Sequence, residues 1–169
     1  MRKSGALVLF AAVAVLLCPS VSLAQSAVIV VRHAEKVSDS DQRLSEAGRA
    51  RAARLAAVLK DLGVTAIYST DTERAKDTVQ PLADATKLPV RAYDLPSKGK
   101  GVDAKPFVSR IRREQVGGIP VVVGHSNTVP AIIQAFGTGI EVTVGPSDYD
   151  NLFIVIPTGK RATLLKLRY

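Results

Sequence analysis

Cysteine, tryptophan and histidine are nearly missing from this 169-residue chain. It has one cysteine, no tryptophan, one methionine and two histidines, and aromatic residues make up 5% of it. Each scarcity removes a class of function. Aromatics this rare, with no basic run interleaved with rings, leave no stacking platform for a single strand, so nucleic acid is not an expected partner. A lone cysteine, Cys18, excludes an internal disulfide and a cysteine-rich zinc cluster. Transmembrane length is lacking too: the apolar run at 6–17 has 12 residues, whereas crossing a bilayer takes about 20.

That run follows Arg2 and Lys3 and precedes Ser22-Leu23-Ala24, a small-x-small pattern. The combination reads as a secretory signal peptide, so residues 1–24 are expected to be removed and residues 25–169 to form one domain. The expected location is periplasmic or secreted, with no stable membrane insertion. Bulky Leu17 argues against lipid attachment at Cys18. A mature chain without cysteine must be held by its core alone, and a chain of about 150 residues buries roughly 70% of its unfolded surface. Loss of Arg2 and Lys3 lowers the formal charge from +8 to +6. A positive field of that size draws in anions, small phosphorylated substrates among them. Arg49, Arg51 and Arg54 in "RARAARLAAVLK" read as a solvated helix face.

Short β-branched runs fall at 27–31, 64–69, 88–92, 120–123, 151–156 and 162–167, with helix-like stretches between the first four. In "RLSEAGRARAARLAAVLKDLG", Ser45 is placed to cap a helix, Ala52, Leu55, Leu59 and Leu62 make its apolar stripe, and Gly63 can end it. Further helices are expected over 71–86, 103–116 and 127–136. The alternation predicts a three-layer α/β domain, a mainly parallel sheet with helices on both faces. "PTGK" at 157–160 reads as a hairpin that adds an antiparallel edge strand.

In such sheets, ligands bind where loops leave the carboxyl ends of the strands. Arg32 and His33 leave the first strand, Arg74 lies past the second, Asp94 leaves the third and His125 the fourth. Two guanidiniums match the oxygens of a phosphoryl group, and a neutral imidazole beside them can attack phosphorus. The adjacent cations favour that neutral form. His33 is then the nucleophile and His125 a partner that steadies developing charge. Asp94 or Glu73 can serve the proton transfers; Asp94 is preferred because it stands at a strand end, whereas Glu73 can point outward from a helix start. Each residue also has a plainer use. Arg74 can pair with Asp71 or Asp77, Ser69 and Thr78 can bond locally, Glu35 can orient an arginine or pair on its loop, and Asn127 can cap a helix. A metal is not expected between two cationic side chains, nor is an organic cofactor.

The motifs "RHAEK", "LSEAG", "YSTDTERAKDT" and "VGHSN", in this order, resemble the histidine phosphatase superfamily, phosphoglycerate-mutase-like branch. The resemblance implies that His33 becomes phosphorylated, that Arg32, Arg74 and His125 complete the phosphate pocket, and that Asn127 touches substrate. The chain departs from the family pattern at Ala34, where many members have glycine, and at Asp94, where the usual acid is glutamate. A phosphomonoesterase is the implied activity. A phosphomutase, which needs larger loops over its pocket, and a non-catalytic binder of phosphorylated ligands are the alternatives. The loop at 95–106 offers Lys98, Lys100 and Lys105 to a polyanionic substrate or is a solvated connector. Sequence sets neither the substrate nor the oligomeric state.

Overall fold

The computed structural model describes residues 27–98 and 101–169. The expected signal peptide at 1–24, with Cys18, lies outside them. In chain order the elements are β1 (Val28–Arg32), α1 (Glu46–Leu59), β2 (Ala66–Ser69), α2 (Glu73–Thr86), β3 (Val90–Ala92), β4 (Ser97–Lys98), β5 (Gly101–Val102), α3 (Lys105–Glu114), β6 (Pro120–Gly124), α4 (Thr128–Ala135), β7 (Asn151–Thr158) and β8 (Arg161–Arg168).

The runs VIVVR, AIYS and PVVVG are buried at every position, as strands covered on both faces must be. They form the middle of a six-stranded sheet of order β3-β2-β6-β1-β7-β8. The first four strands of that order run parallel. Strand β7 runs against β1, and β8 against β7. The expected antiparallel edge pairing is therefore present, and the strand reversed relative to the parallel four is β7. One face packs on α3 and α4 through Phe107, Ile111, Ile132 and Ile133. The other packs on α1 and α2 through Leu55, Leu59, Val79 and Leu82. Three layers result. A two-stranded hairpin, β4 with β5, stands apart where the sequence predicts a loop.

Helix α1 begins as predicted: the Ser45 side chain accepts from Gly48 N at 3.1 Å, a cap worth about 1 kcal/mol. Its apolar stripe is shorter than expected. Leu62 is 48% exposed, because the helix ends at Leu59 and the chain turns through Lys60–Leu62 before Gly63 at φ +69°. Arg51 also departs from the solvated face assigned to it. Its guanidinium grips the Glu35 carboxylate through Nε and Nη2, at 2.7–3.0 Å. Glu35 thus orients an arginine, and the ion pair ties α1 to the loop that carries His33. Gly48 in "LSEAG" is where that loop presses on α1: a Cβ there would lie 2.1 Å from the Glu35 carbonyl oxygen. No helix among the described residues is long and apolar enough to cross a membrane.

Candidate active site

Because β1, β2, β3 and β6 are parallel, their carboxyl ends share one rim. Arg32 is the last residue of β1, and His33 follows it, its N–H donating to Gly124 O at 2.9 Å. His125 follows β6. The two imidazole rings meet edge to face, with centroids 5.2 Å apart. Separated by 92 positions in sequence, they share one small space because two adjacent parallel strands end level, with Arg32 opposite Gly124.

Each ring's tautomer follows from its partners. The Nδ1 of His33 lies 2.8 Å from Ala34 O, an acceptor only, so Nδ1 carries the proton and Nε2 keeps its lone pair. His125 is arranged the other way. Its Nδ1 faces Arg74 Nη2 at 3.3 Å and must accept, which leaves Nε2–H to donate to Thr70 Oγ1 at 2.9 Å. Burial pushes both imidazoles down to about 4. For His33 the bond to Ala34 O opposes this, while His125, Arg74 and Arg32 add to it; for His125 the cations Arg74 and Arg32 add to it. Both rings are therefore neutral at pH 7. Proton NMR should show their C–H signals titrating with apparent midpoints near pH 4, as a coupled pair. A midpoint near the ordinary ~6.5 would contradict the burial and cation effects.

The guanidiniums are held before any ligand arrives. Arg32 is 7% exposed; its Nη1 donates to Gly145 O at 2.6 Å and Pro146 O at 2.9 Å, and it lies 4.2 Å over the Tyr149 ring. Arg74, the second residue of α2, donates through Nη1 to Gln42 Oε1 and turns Nη2 to His125. Of the two carboxylates offered as plainer partners, Asp71 pairs with Lys76 instead. Thr78 links two parts of the site: its Oγ1 donates to Arg74 O at 2.7 Å and accepts from Ala34 N at 2.9 Å. Ser69 bonds only locally, to Thr70 O. The Ala34 methyl is fully buried against Leu44 and Ala52. Gly124 keeps the neighbouring turn open, because a Cβ there would lie 2.5 Å from Thr128 Oγ1, which itself accepts from His125 N.

The remaining predicted residues lie at different removes. Asp94 is exposed on a cavity of about 330 Å³ shared with Thr70, Tyr93, His125 and Thr128, which places it on the His125 side of the site. Its Oδ1 accepts from Leu95 N at 2.8 Å. Glu73 faces away, into a groove between α1 and α2 with Arg43 and Asp77. Asn127 stands at the N-cap position of α4 but makes no side-chain cap bond; it is exposed on a separate cavity with Gln134 and Glu141. Sequence reasoning missed Gln42, Thr70 and Tyr149. Thr70 lay inside a quoted motif, whereas Gln42 and Tyr149 sit in irregular loops with no period to mark them.

Two arginines and two neutral histidines stand around one rim, and part of this chain matches a known family. Residues 28–94 match the family model of the histidine phosphatase superfamily, branch 1. That segment holds Arg32, His33, Arg74 and Asp94 and stops short of His125. The histidine phosphatase fold nevertheless extends over the described domain. Mycobacterial glucosyl-3-phosphoglycerate phosphatase is similar at TM-score 0.65 and 19% identity, over 85% of this chain and 98% of that one. The protein histidine phosphatase SixA complexed with tungstate is similar at 0.65 and 19%, over 84% and 96%. Phosphoglycerate mutase from Bacillus anthracis str. Sterne is similar at 0.67 and 15%, over 85% and 93%. No curated protein matches the sequence.

Proposed function

We propose that this protein is a phosphomonoester hydrolase that works through a phosphohistidine on His33 and acts on a small phosphorylated substrate. The observation that carries the reading is the pair of neutral imidazoles 5.2 Å apart beside Arg32 and Arg74, with the His33 proton held on Nδ1. The Nε2 lone pair attacks phosphorus as the bond to the leaving oxygen breaks, and Asp94 supplies that oxygen's proton. Arg32, Arg74 and His125 spread donors over the transferring oxygens. Water then attacks the phosphohistidine, Asp94 takes its proton, and phosphate leaves. The likeness to two phosphatases supports hydrolysis.

Rapid quench with a labelled aryl phosphate tests this reading: an acid-labile, alkali-stable phosphoenzyme should form and decay as phosphate is released. Absence of turnover on every phosphoester tried would overturn it. Turnover should persist in excess EDTA, since the two cations beside the rings take the place a metal would fill. If Asp94 is the acid, Asp94→Asn should slow alkyl esters about 10²-fold and aryl esters, whose leaving group needs little protonation, far less. Equal losses would remove Asp94 from that role.

The likeness to a mutase keeps phosphomutase as the second reading. Return of the phosphoryl group to another hydroxyl of the same substrate, in place of release to water, would select it. The leader pattern at 1–24 supports a periplasmic or secreted location, which fractionation of cells expressing the full chain would check.

A further inference from the structure

Asn151 opens β7 and is 1% exposed, yet among the described residues neither its Nδ2 nor its Oδ1 has a hydrogen-bond partner. A buried carboxamide that bonds to nothing is costly, so its retention calls for a use. Its place in the sheet indicates one. The β1–β7 ladder pairs Val28 with Val155 and so on to Val31 with Leu152. One further step sets Asn151 opposite Arg32. Residues directly opposed on antiparallel strands point to the same face with Cβ atoms about 5 Å apart. Here it is the face of Val28, Val30, Phe153 and Val155.

Arg32 has a gap of its own. Its Nη1 is engaged with two carbonyls, but Nε, also buried, has no partner among the described residues. A buried donor and a buried acceptor, both unused, thus stand across from each other at the rim. Nη1 is tethered and Cζ lies 4.2 Å over the Tyr149 ring, so the guanidinium is held at one end while Nε stays unpaired.

We propose that Asn151 is the positioning residue for Arg32: with an oxyanion bound beside the guanidinium, its Oδ1 accepts from Nε and so fixes the end that Nη1 does not hold. The inference rests on the phosphate-pocket reading above. It explains why a polar side chain is kept where leucine, of similar size, would suit the surroundings better.

The test is calorimetric titration of the full-length protein with inorganic phosphate, using the wild type, Asn151→Leu, Arg32→Lys and the double variant. Asn151→Leu should weaken phosphate binding about tenfold while the melting temperature holds or rises. Lysine keeps the positive charge but has no Nε–H for Asn151 to meet, so the double variant should bind no more weakly than Arg32→Lys alone. Wild-type affinity in Asn151→Leu, or a repeated tenfold loss in the lysine background, would overturn the assignment. Should the leucine variant fail to fold, Asn151→Val is carried through the same cycle with the same criteria. A wild type that binds no phosphate would overturn the pocket reading along with this one; a wild type that binds, with Asn151→Leu unaffected, overturns this one alone.

Discussion

Replacing His33 with alanine should leave a folded protein whose phosphate release from an aryl phosphate is slower by a factor on the order of 10⁴ or more, the size of loss that follows removal of a covalent nucleophile. Two features set that magnitude. Nε2 of His33 is a free lone pair on a ring that is neutral at pH 7, and His125 cannot replace it, because its own Nε2 proton is committed to Thr70 and its Nδ1 to Arg74. The loss to the fold is a matter of packing against the His125 and Tyr149 rings, since the His33 side chain's hydrogen bond goes only to the carbonyl of the next residue. Steady-state rates paired with thermal melts separate the two effects. A His33→Ala protein that retained even a tenth of the wild-type rate would transfer the nucleophile's role elsewhere and end the phosphohistidine reading. The pH profile of the wild type belongs to the same argument. Protonation removes the attacking lone pair, so kcat/KM should hold from neutrality down to about pH 5 and fall as pH drops through about 4.

Gly48→Ala should cost more stability than any other single-methyl addition in α1. The new Cβ would come within 2.1 Å of the Glu35 carbonyl oxygen, which is backbone and is itself held by Ser45 N at 2.9 Å. Neither strand of that contact can yield by rotating a side chain. We expect about 3 kcal/mol, at the upper end for overpacking, seen as a lower midpoint in urea. Because Glu35 sits two residues from His33, the displacement should also lower turnover in the fraction that stays folded. Ala53→Val, a larger change at an exposed position of the same helix, is the control and should cost only the ~0.5 kcal/mol of helix propensity while leaving turnover unchanged. Equal stability of Gly48→Ala and the wild type would mean that the loop and α1 are not in the close contact described.

How far the sequence carried depended on whether regular structure placed a residue. Every strand core and every helix of the parallel half was legible, because VIVVR, AIYS and PVVVG are too apolar to face water and the intervening stretches repeat at helical spacing. Arg32, His33 and His125 were legible for the same reason: each stands at or just past the end of such a strand. Gln42, Thr70 and Tyr149 come from irregular loops, whose course is set by tertiary contacts. Asn151 reads in sequence only as the start of a strand, and nothing local distinguishes an amide that pairs with solvent from one buried across from an arginine. Arg51 departs from the solvated face for a related reason. Helical spacing places it on α1, but its partner Glu35 lies 16 residues away and is brought near only by the fold.

The tether between Arg32 and the carbonyls of Gly145 and Pro146 spans 113 and 114 residues of sequence. In refolding, the chain can pair β1, β2, β3 and β6 before that loop has docked. Its imidazoles would then meet while one guanidinium still swings free. Such an intermediate would have its nucleophile assembled and its anion grip missing. Chemical competence should therefore lag behind compaction in refolding, appearing only as the final hairpin docks.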